Sequence, residues 1–479
     1  MSRGNEVGIS EPNWLPTTPL EEMSKTRYDV LIVGTGAGGG AVLWRLCEHW
    51  KNAGKKIGVI EAGDLILPTN IRNVETMNSQ RVNELSYGKR GLVIEVPGTN
   101  FREIIAVGGR TLAWNAYSPR MHIEPNEWPF PLHEMEQYYR IAEQAMGVSV
   151  SYMAGSPIQQ LFLNRLWNSG FSRAQNMPMA ADLEPTKYGE LHSNVYFSSV
   201  KFLARALFAR AFDLAVLSRA VGIIANNGKV EGIEAMTIDR KSYTVKADNV
   251  VLCTSSVETP RLLLHSGIPG PAIGHYLTKH TVVWSPFKLN REQYPYVTGT
   301  AGILLPEQEG FPLQIQVDGP SRAVYYHNKF IPFESEEQVN VAGIGIVQPR
   351  FENYVSLNPL KQDRYGVPEV RIQMTYSPYD YAVTALAEQL IGRVVSALGL
   401  ETTAAFNRDA PLQGDHESGT CRMGVDPVTT ATNRFGQIHG IGGLFVADNS
   451  VIPMLKAANP TLTTVALALR TADYIALTT

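Results

Sequence analysis

The chain is short of cysteine, of charge of one sign and of long apolar runs, and each shortage removes a class of function. Its three cysteines, Cys47, Cys253 and Cys421, are isolated, so neither a disulfide framework nor a paired thiolate metal site is expected, and a reducing compartment fits best. Lys and Arg number 42 against 45 Asp and Glu, scattered among one another, so no basic face points to nucleic acid or an anionic membrane surface. No segment reaches the roughly 20 apolar residues of a membrane span, and the polar arm 1–24 lacks the apolar run of a secretory signal. A cytoplasmic protein with a small-molecule partner is expected, without a metal, nucleic-acid or membrane role.

What is present is ordinary globular composition over 479 residues, enough for two or three core-bearing units. Residues 28–33, "YDVLIV", read as a buried parallel strand, and "GTGAGGGAVLWRLCEHW" follows at once. Gly34, Gly36 and Gly39 fill the places of a G-x-G-x-x-G turn. The first allows the tight turn, the second lets backbone approach a pyrophosphate, and the third lets helix pack on strand. The N-terminus of the helix that follows would face that anion with free N–H groups. The next strand, "KKIGVIEAG", ends in Glu61, 22 residues beyond Gly39, a spacing that suits a carboxylate reaching a ribose hydroxyl. A solvated strand-end carboxylate is the plainer reading.

The stretch "IIAVGGRTLAWNAYSPRM", residues 104–121, sets Gly108 and Gly109 ahead of Thr111, Trp114 and Asn115. It is either a surface turn or a place where backbone amides meet a flat, polar ring. Residues 215–253 read as a β-meander returning to the first sheet, and "VVLCTSSVETPRLLLHSG" passes from strand into helix. From about 285 to 377 alternating segments such as "GFPLQIQVDG" predict a second, largely antiparallel sheet. A helix over "YDYAVTALAEQLIGRVVSALG" then leads the chain back. Residues 151–199 carry no pattern that assigns them.

The last seventy residues hold "GDHESGTCRMG", where His416 sits in a flexible, polar run and is open to being ligand, base or bystander. They also hold "GLFVADNSVIP", a strand ending at Asp448, and "NPTLTTVALALRTADYI", an apolar helix with Asn459 as its expected N-cap and Pro460 in the first turn. His49, His280 and His439 have no partner at metal-ligand spacing and read as structural, His280 being the best candidate for an exception.

Five stretches in this order, "VGTGAGGG…VIEAG", "VGGRTLAWN", "VVLCTSSVETPRLLLHSG" with "IGHYLTKH", "HESGTCRMG" and "GLFVADNSVIP…NPTLTTVALALRTADYI", resemble the glucose-methanol-choline (GMC) family of FAD-dependent oxidoreductases over about 25–479. The resemblance implies an α/β fold. A Rossmann-like FAD-binding domain would be formed by 25–150, 200–284 and 405–479, and a substrate domain on the antiparallel sheet by 151–199 and 285–404. It implies that Gly34, Gly36, Ala37, Gly38, Gly39 and Glu61 hold the ADP half of FAD. Gly108, Gly109, Thr111 and Asn115 would lie near pyrophosphate and flavin, and Val221 would offer a backbone contact near adenine. Asp448 would reach the ribityl-pyrophosphate region, and Asn459, Pro460 and Thr461 would meet the flavin at a helix N-terminus.

His416 falls on the family's active-site histidine and Asn459 on its partner, a combination most like the pyranose-oxidase and sugar-dehydrogenase branch. The resemblance then implies hydride transfer to FAD N5 from a secondary hydroxyl of a sugar or glycoside, with oxygen, a quinone or another protein as electron acceptor. A lyase using FAD only as structure is the alternative, and an oligomer is left open. Ala113 stands where covalent members carry the histidine that bonds the flavin, which implies non-covalent FAD. Lys456 is a polar intrusion before Ala457 and Ala458, either touching substrate or solvated, and Cys421 is assigned to packing.

Overall fold

The computed structural model describes residues 13–74, 93–95, 99, 101–124, 127–182, 195–289, 299–308, 310–319 and 338–479. Of the polar arm, residues 1–12 lie outside these. The rest of the arm is packed down: Leu15, Leu20 and Met23 enter the main core, and the Thr18 N–H donates to the Leu214 carbonyl at 2.7 Å. Parts of the second expected sheet, 290–298 and 320–337, also fall outside the described residues.

Strands Asp213–Ala215, Ile57–Ile60, Arg27–Val33, Ser242–Leu252 and Leu444–Val446 form a parallel sheet in that order. The inner strands are buried along most of their length, as expected when helices cover both faces. One edge of Ser242–Leu252 is shared. Its first half pairs antiparallel with Lys229–Thr237, which pairs with Ser218–Asn226, and its last three residues pair with Leu444–Val446. The meander turns at Asn227 and Gly228, both at positive φ, the backbone that an Asn-Gly hairpin turn requires. Helices Ala37–His49 and Thr461–Thr478 pack together on this sheet.

The second sheet is antiparallel throughout, in the order Glu401–Thr402, His280–Lys288, Gln338–Ile346, Leu313–Gly319, Ala301–Leu305 and Gln175–Asn176. The stretch 151–199, unreadable in sequence, supplies its edge strand Gln175–Asn176 and the helix Pro157–Asn168 that packs with it. Helix Pro378–Leu398 crosses one face, opened by a Ser377/Asp380 capping box and closed by Gly399 in the left-handed conformation. It lies close because Gly343 and Gly345 leave room: a Cβ added at Gly345 would come within 2.4 Å of Val383 Cγ1. Side chains alternate along a strand, so Leu313, Ile315 and Val317 join the core with this helix, while Gln314, Gln316 and Asp318 take the opposite face.

Candidate active site

The glycine-rich turn is built from close contacts with one opening. A Cβ at Gly34 would lie 2.6 Å from the Cys253 carbonyl oxygen, at Gly38 1.8 Å from that of Ala447, and at Gly39 2.0 Å from that of Gly34. At Gly36 it would meet nothing within 4 Å. A Cβ on Gly109 would come 3.3 Å from the Gly36 Cα, so the two glycine turns face each other across this opening. Thr35, which no motif singles out, joins them. Its N–H and hydroxyl donate to Glu61 Oε2 at 2.9 and 2.6 Å, and its Oγ1 accepts the Gly108 N–H at 3.0 Å.

Glu61 is therefore no solvated strand end. It is 6% exposed, its other oxygen accepts the Gly63 N–H at 2.8 Å, and burial raises its pKa against those hydrogen bonds. Asp448 is bound similarly. One oxygen accepts from the Ser255 N–H and the Thr259 hydroxyl, the other from the Ser450 N–H and hydroxyl, and burial raises its pKa. Both carboxylates hold loops together around the opening. Thr111 is turned inward, donating to the Gly108 carbonyl at 2.6 Å, while Asn115 is exposed and accepts from Arg72. The Trp114 indole donates to the Phe197 carbonyl at 2.8 Å. Val221 is the extra residue of a β-bulge, between Gly222 opposite Glu234 and Ala220 opposite Ala235, and its side chain packs on Tyr365 and Val367.

His416 has φ 75°, a left-handed backbone unfavourable for a side chain of this size. The chain around it is held from the neighbouring segment. Thr278 and Ser418 exchange backbone hydrogen bonds, and the buried Lys279 ammonium donates to the Ala410 and Gln413 carbonyls. His280, fully buried, places Nδ1 2.9 Å from His416 Nδ1 and Nε2 2.6 Å from the Lys456 carbonyl oxygen. His416 is half-buried as a residue, yet desolvation of its ring lowers its pKa to about 4, with Arg110 and Lys279 adding to this and Asp415 opposing it. Burial likewise holds the Lys279 pKa down at about 8 and puts that of His280 well below its usual value.

Asn459 does not cap the last helix, whose N-cap is Pro460, followed by Thr461. Its side chain is turned to the second sheet instead: Oδ1 accepts from Gln316 Nε2 at 2.6 Å and Gln314 Nε2 at 3.1 Å. The amide donor Nδ2 forms no hydrogen bond with the described residues. No hydrogen bond joins His416 to Asn459 directly; the connection runs through His280 to the Lys456 backbone, three residues before Asn459. Lys456 is 8% exposed and paired to Glu127 at 2.6 Å, which excludes a solvated side chain. A cleft of about 610 Å³ is lined by Gln314, Leu304, Glu307, Gln175 and Ala458 among others, and so reaches a hydrogen-bond partner of Asn459 and the residue before it, while Asn459 and His416 are not in its wall. Gln314 and Gln316 are the site residues least visible in sequence. The signal for the glutamines is an alternating strand, "LQIQVDG", whose polar face opens with two amides before its one charge, Asp318.

Cys421 is fully buried, and burial raises its thiol pKa, as packing requires. His49 bonds Asp473 at 2.8 Å and His439 bonds Thr430 at 3.0 Å, both remote from this site. Among the described residues no group of three or more His, Cys, Asp or Glu could hold a metal ion, and no helix is long and apolar enough to cross a membrane.

A parallel sheet carrying a glycine-rich turn between strand and helix is of the class whose folds take dinucleotides, and an antiparallel sheet meets it at His416 and Asn459. GMC oxidoreductase family models match residues 126–282 and 349–468, together more than half of the chain, and the chain belongs to that family. It is an oxidoreductase acting on an alcohol group, and the family's members are flavoproteins. The C-glycoside 3-oxidase of Arthrobacter globiformis is 28% identical, over 95% of this chain and 96% of its own. The 2-methyl-1,2-propanediol dehydrogenase of Mycolicibacterium austroafricanum is 26% identical over 94% and 96%. The paromamine 6'-oxidase of Streptomyces fradiae is 24% identical over 94% and 91%. Among solved structures, pyridoxine 4-oxidase from Mesorbium loti superposes with a TM-score of 0.64 at 15% identity, covering 94% of this chain and 99% of its own, which bears on the fold.

Proposed function

We propose that the chain oxidises a hydroxyl of a sugar or glycoside to a carbonyl, with FAD held non-covalently and His416 and Asn459 as the catalytic pair. The observation that carries this is an amide whose carbonyl is already taken by Gln314 and Gln316, three residues beyond the Lys456 carbonyl that His280, the hydrogen-bond partner of His416, engages. Such an amide has only its N–H donor left, which suits holding an alcohol oxygen. The relatives named as glycoside and paromamine oxidases support a sugar-like substrate.

The residues around Gly36 fit a dinucleotide. The opening there has room where every neighbouring glycine has none, and the first turn of Ala37–His49 offers its unpaired N–H groups beside it. Gly34, Gly36, Ala37, Gly38, Gly39, Gly108 and Gly109 would hold the phosphates, with Glu61, Asp448 and Asn115 at the rim. FAD, when bound, accepts the hydride equivalent of the carbinol carbon. The chain contributes the rest. Asn459 fixes the hydroxyl oxygen, His416 takes the hydroxyl proton as the C–H bond breaks, and the wall of Gln314 and Gln316 orients the remaining hydroxyls. We assign 25–150, 200–284 and 405–479 to the cofactor part and 151–199 and 285–404 to the substrate part.

The test is anaerobic mixing of the yellow protein with glucose, methyl glucosides and aryl C-glycosides while flavin absorbance is followed. Bleaching by at least one of them is expected, and repeating the run in air with peroxide detection separates oxygen from a quinone or protein acceptor. Turnover of a cyanohydrin with no bleaching by any alcohol would overturn the reading in favour of a lyase. Acid precipitation should release the flavin into the supernatant, and yellow pellets would refute non-covalent binding.

A further inference from the structure

We infer that His280 is a positioning residue that sets the tautomer of His416: it accepts the His416 Nδ1–H, and so leaves His416 Nε2 as the unprotonated, basic nitrogen. The inference rests on the reading of His416 as the base and says how the chain makes it one.

Two distances decide the protons. His280 Nε2 lies 2.6 Å from the Lys456 carbonyl oxygen, and a carbonyl only accepts, so that nitrogen carries hydrogen. In a neutral His280 the other nitrogen, Nδ1, is then a lone pair. It faces His416 Nδ1 at 2.9 Å, and two lone pairs at that separation repel, so His416 Nδ1 must be the donor. A neutral His416 protonated there has its lone pair at Nε2, the nitrogen that forms no hydrogen bond with the described residues. The rings meet nearly perpendicular, at 79°, which lets a lone pair of one lie toward the N–H of the other.

The alternative is a protonated His280, which would donate through Nδ1 and force His416 into the opposite, non-basic tautomer. The surroundings oppose it. His280 is fully buried, and the charge beside it, the Lys279 ammonium, is of the wrong sign. The groups facing His416 are Asp415, Arg110 and Lys279, of which only the exposed Asp415 favours a charged ring. When His416 has taken the substrate proton it becomes an imidazolium that still donates Nδ1–H to His280, now as a stronger charge-assisted bond. No proton needs to pass to His280, whose Nε2–H stays on the Lys456 carbonyl. The same bond pins the backbone three residues before Asn459, so one buried ring spaces the base and the amide that holds the substrate oxygen.

The variants separate these roles. His280→Asn restores an acceptor near the Nδ1 position, His280→Gln keeps a donor toward Lys456 but removes that acceptor, and His280→Ala removes both. With glucose as probe in anaerobic single turnover, Ala and Gln should slow flavin bleaching at least about tenfold with the flavin still bound, and Asn should recover most of the rate. Ala and Gln variants that bleach at the wild-type rate, while His416→Ala does not bleach, would overturn the inference and leave His416 as base. A His416→Ala protein that bleaches normally would instead remove the reading beneath it. Independently of turnover, two-bond proton–nitrogen correlations of the histidine-labelled holoenzyme near pH 7.5, assigned through His416→Ala, should show His416 protonated at Nδ1. Protonation at Nε2 would refute the inference, whatever the fate of the His280 variants.

Discussion

Arg110 donates from Nη1 to Oε2 of Glu417 at 2.7 Å, and this pair fastens the second glycine turn to the residue after His416. Glu417 is 1% exposed, and the Ser256 hydroxyl holds its backbone carbonyl at 2.7 Å. The second glycine turn and the candidate base are thereby one mechanical unit. Removing the guanidinium would leave a carboxylate buried without its partner, a change that costs about 3–5 kcal/mol in comparable sites. Arg110→Met should therefore destabilise strongly, and Arg110→Met combined with Glu417→Gln should cost less than the single change. Urea unfolding of the three proteins checks this, and a single variant within about 1 kcal/mol of wild type would contradict it.

The glycines of the first turn should separate by what they face. Gly36→Ala meets no protein atom and its φ of −62° suits alanine, so the fold should survive while the methyl group occupies space a dinucleotide needs. Gly38→Ala and Gly39→Ala put a methyl group within 2.0 Å of carbonyl oxygens and should weaken the fold itself. Circular dichroism with flavin content per chain distinguishes the two outcomes. A Gly36→Ala protein that retains full yellow colour would dissociate the opening from the cofactor.

Much of this arrangement is legible in the sequence. The first strand, glycine turn and second strand carry local chemistry, and the helix over 378–398 announces itself by apolar spacing, cap and closing glycine. What was not legible is what distant segments do to one another. Asn459 looked like a helix cap because Asn followed by Pro is good cap chemistry, but two glutamines 143 and 145 residues away claim its carbonyl. His280 stands out among the other histidines as the best candidate for a non-structural role, but its partner lies 136 residues on, so the contact itself is not readable in sequence. Thr35 and Glu61 form a local motif, yet only the fold reveals that the hydroxyl also receives Gly108. Strand 175–176 is too short to show an alternation, and pairing with 303–304 makes it a strand.

The depressed pKa of His416 fixes the direction of the pH response. A base that stays neutral down to about pH 4 should give a flavin-reduction rate constant that is flat from pH 8 to about 5 and falls only below that. Stability should follow the opposite logic to a salt-bridged histidine. Between the usual imidazole value of about 6.5 and the folded value the unfolded chain binds a proton that the folded chain refuses, so stability falls as pH drops through that window. His280 adds to the slope in the same sense. Glu103 works against it, because burial raises its carboxyl pKa to about 7 and its contribution is lost as pH rises toward that value. Rapid-mixing kinetics across pH is the direct check, and an inflection near 6.5 would place the His416 ring in water.

The amide of Asn459 is held in one orientation by the second sheet, and that gives the sharpest test of its role. Asn459→Asp keeps the size and both acceptor contacts to Gln314 and Gln316 but replaces the remaining donor by a carboxylate oxygen, which cannot hold an alcohol lone pair. Flavin reduction should fall about 10- to 100-fold with the cofactor retained. Gln316→Leu should cost less, because Gln314 still donates to Oδ1 and the amide keeps its orientation for part of the time. If the donor matters, the order of rates is wild type, then Gln316→Leu, then Asn459→Asp. If Asn459 only packs, the order inverts, since the near-isosteric aspartate disturbs packing less than leucine does among buried polar groups.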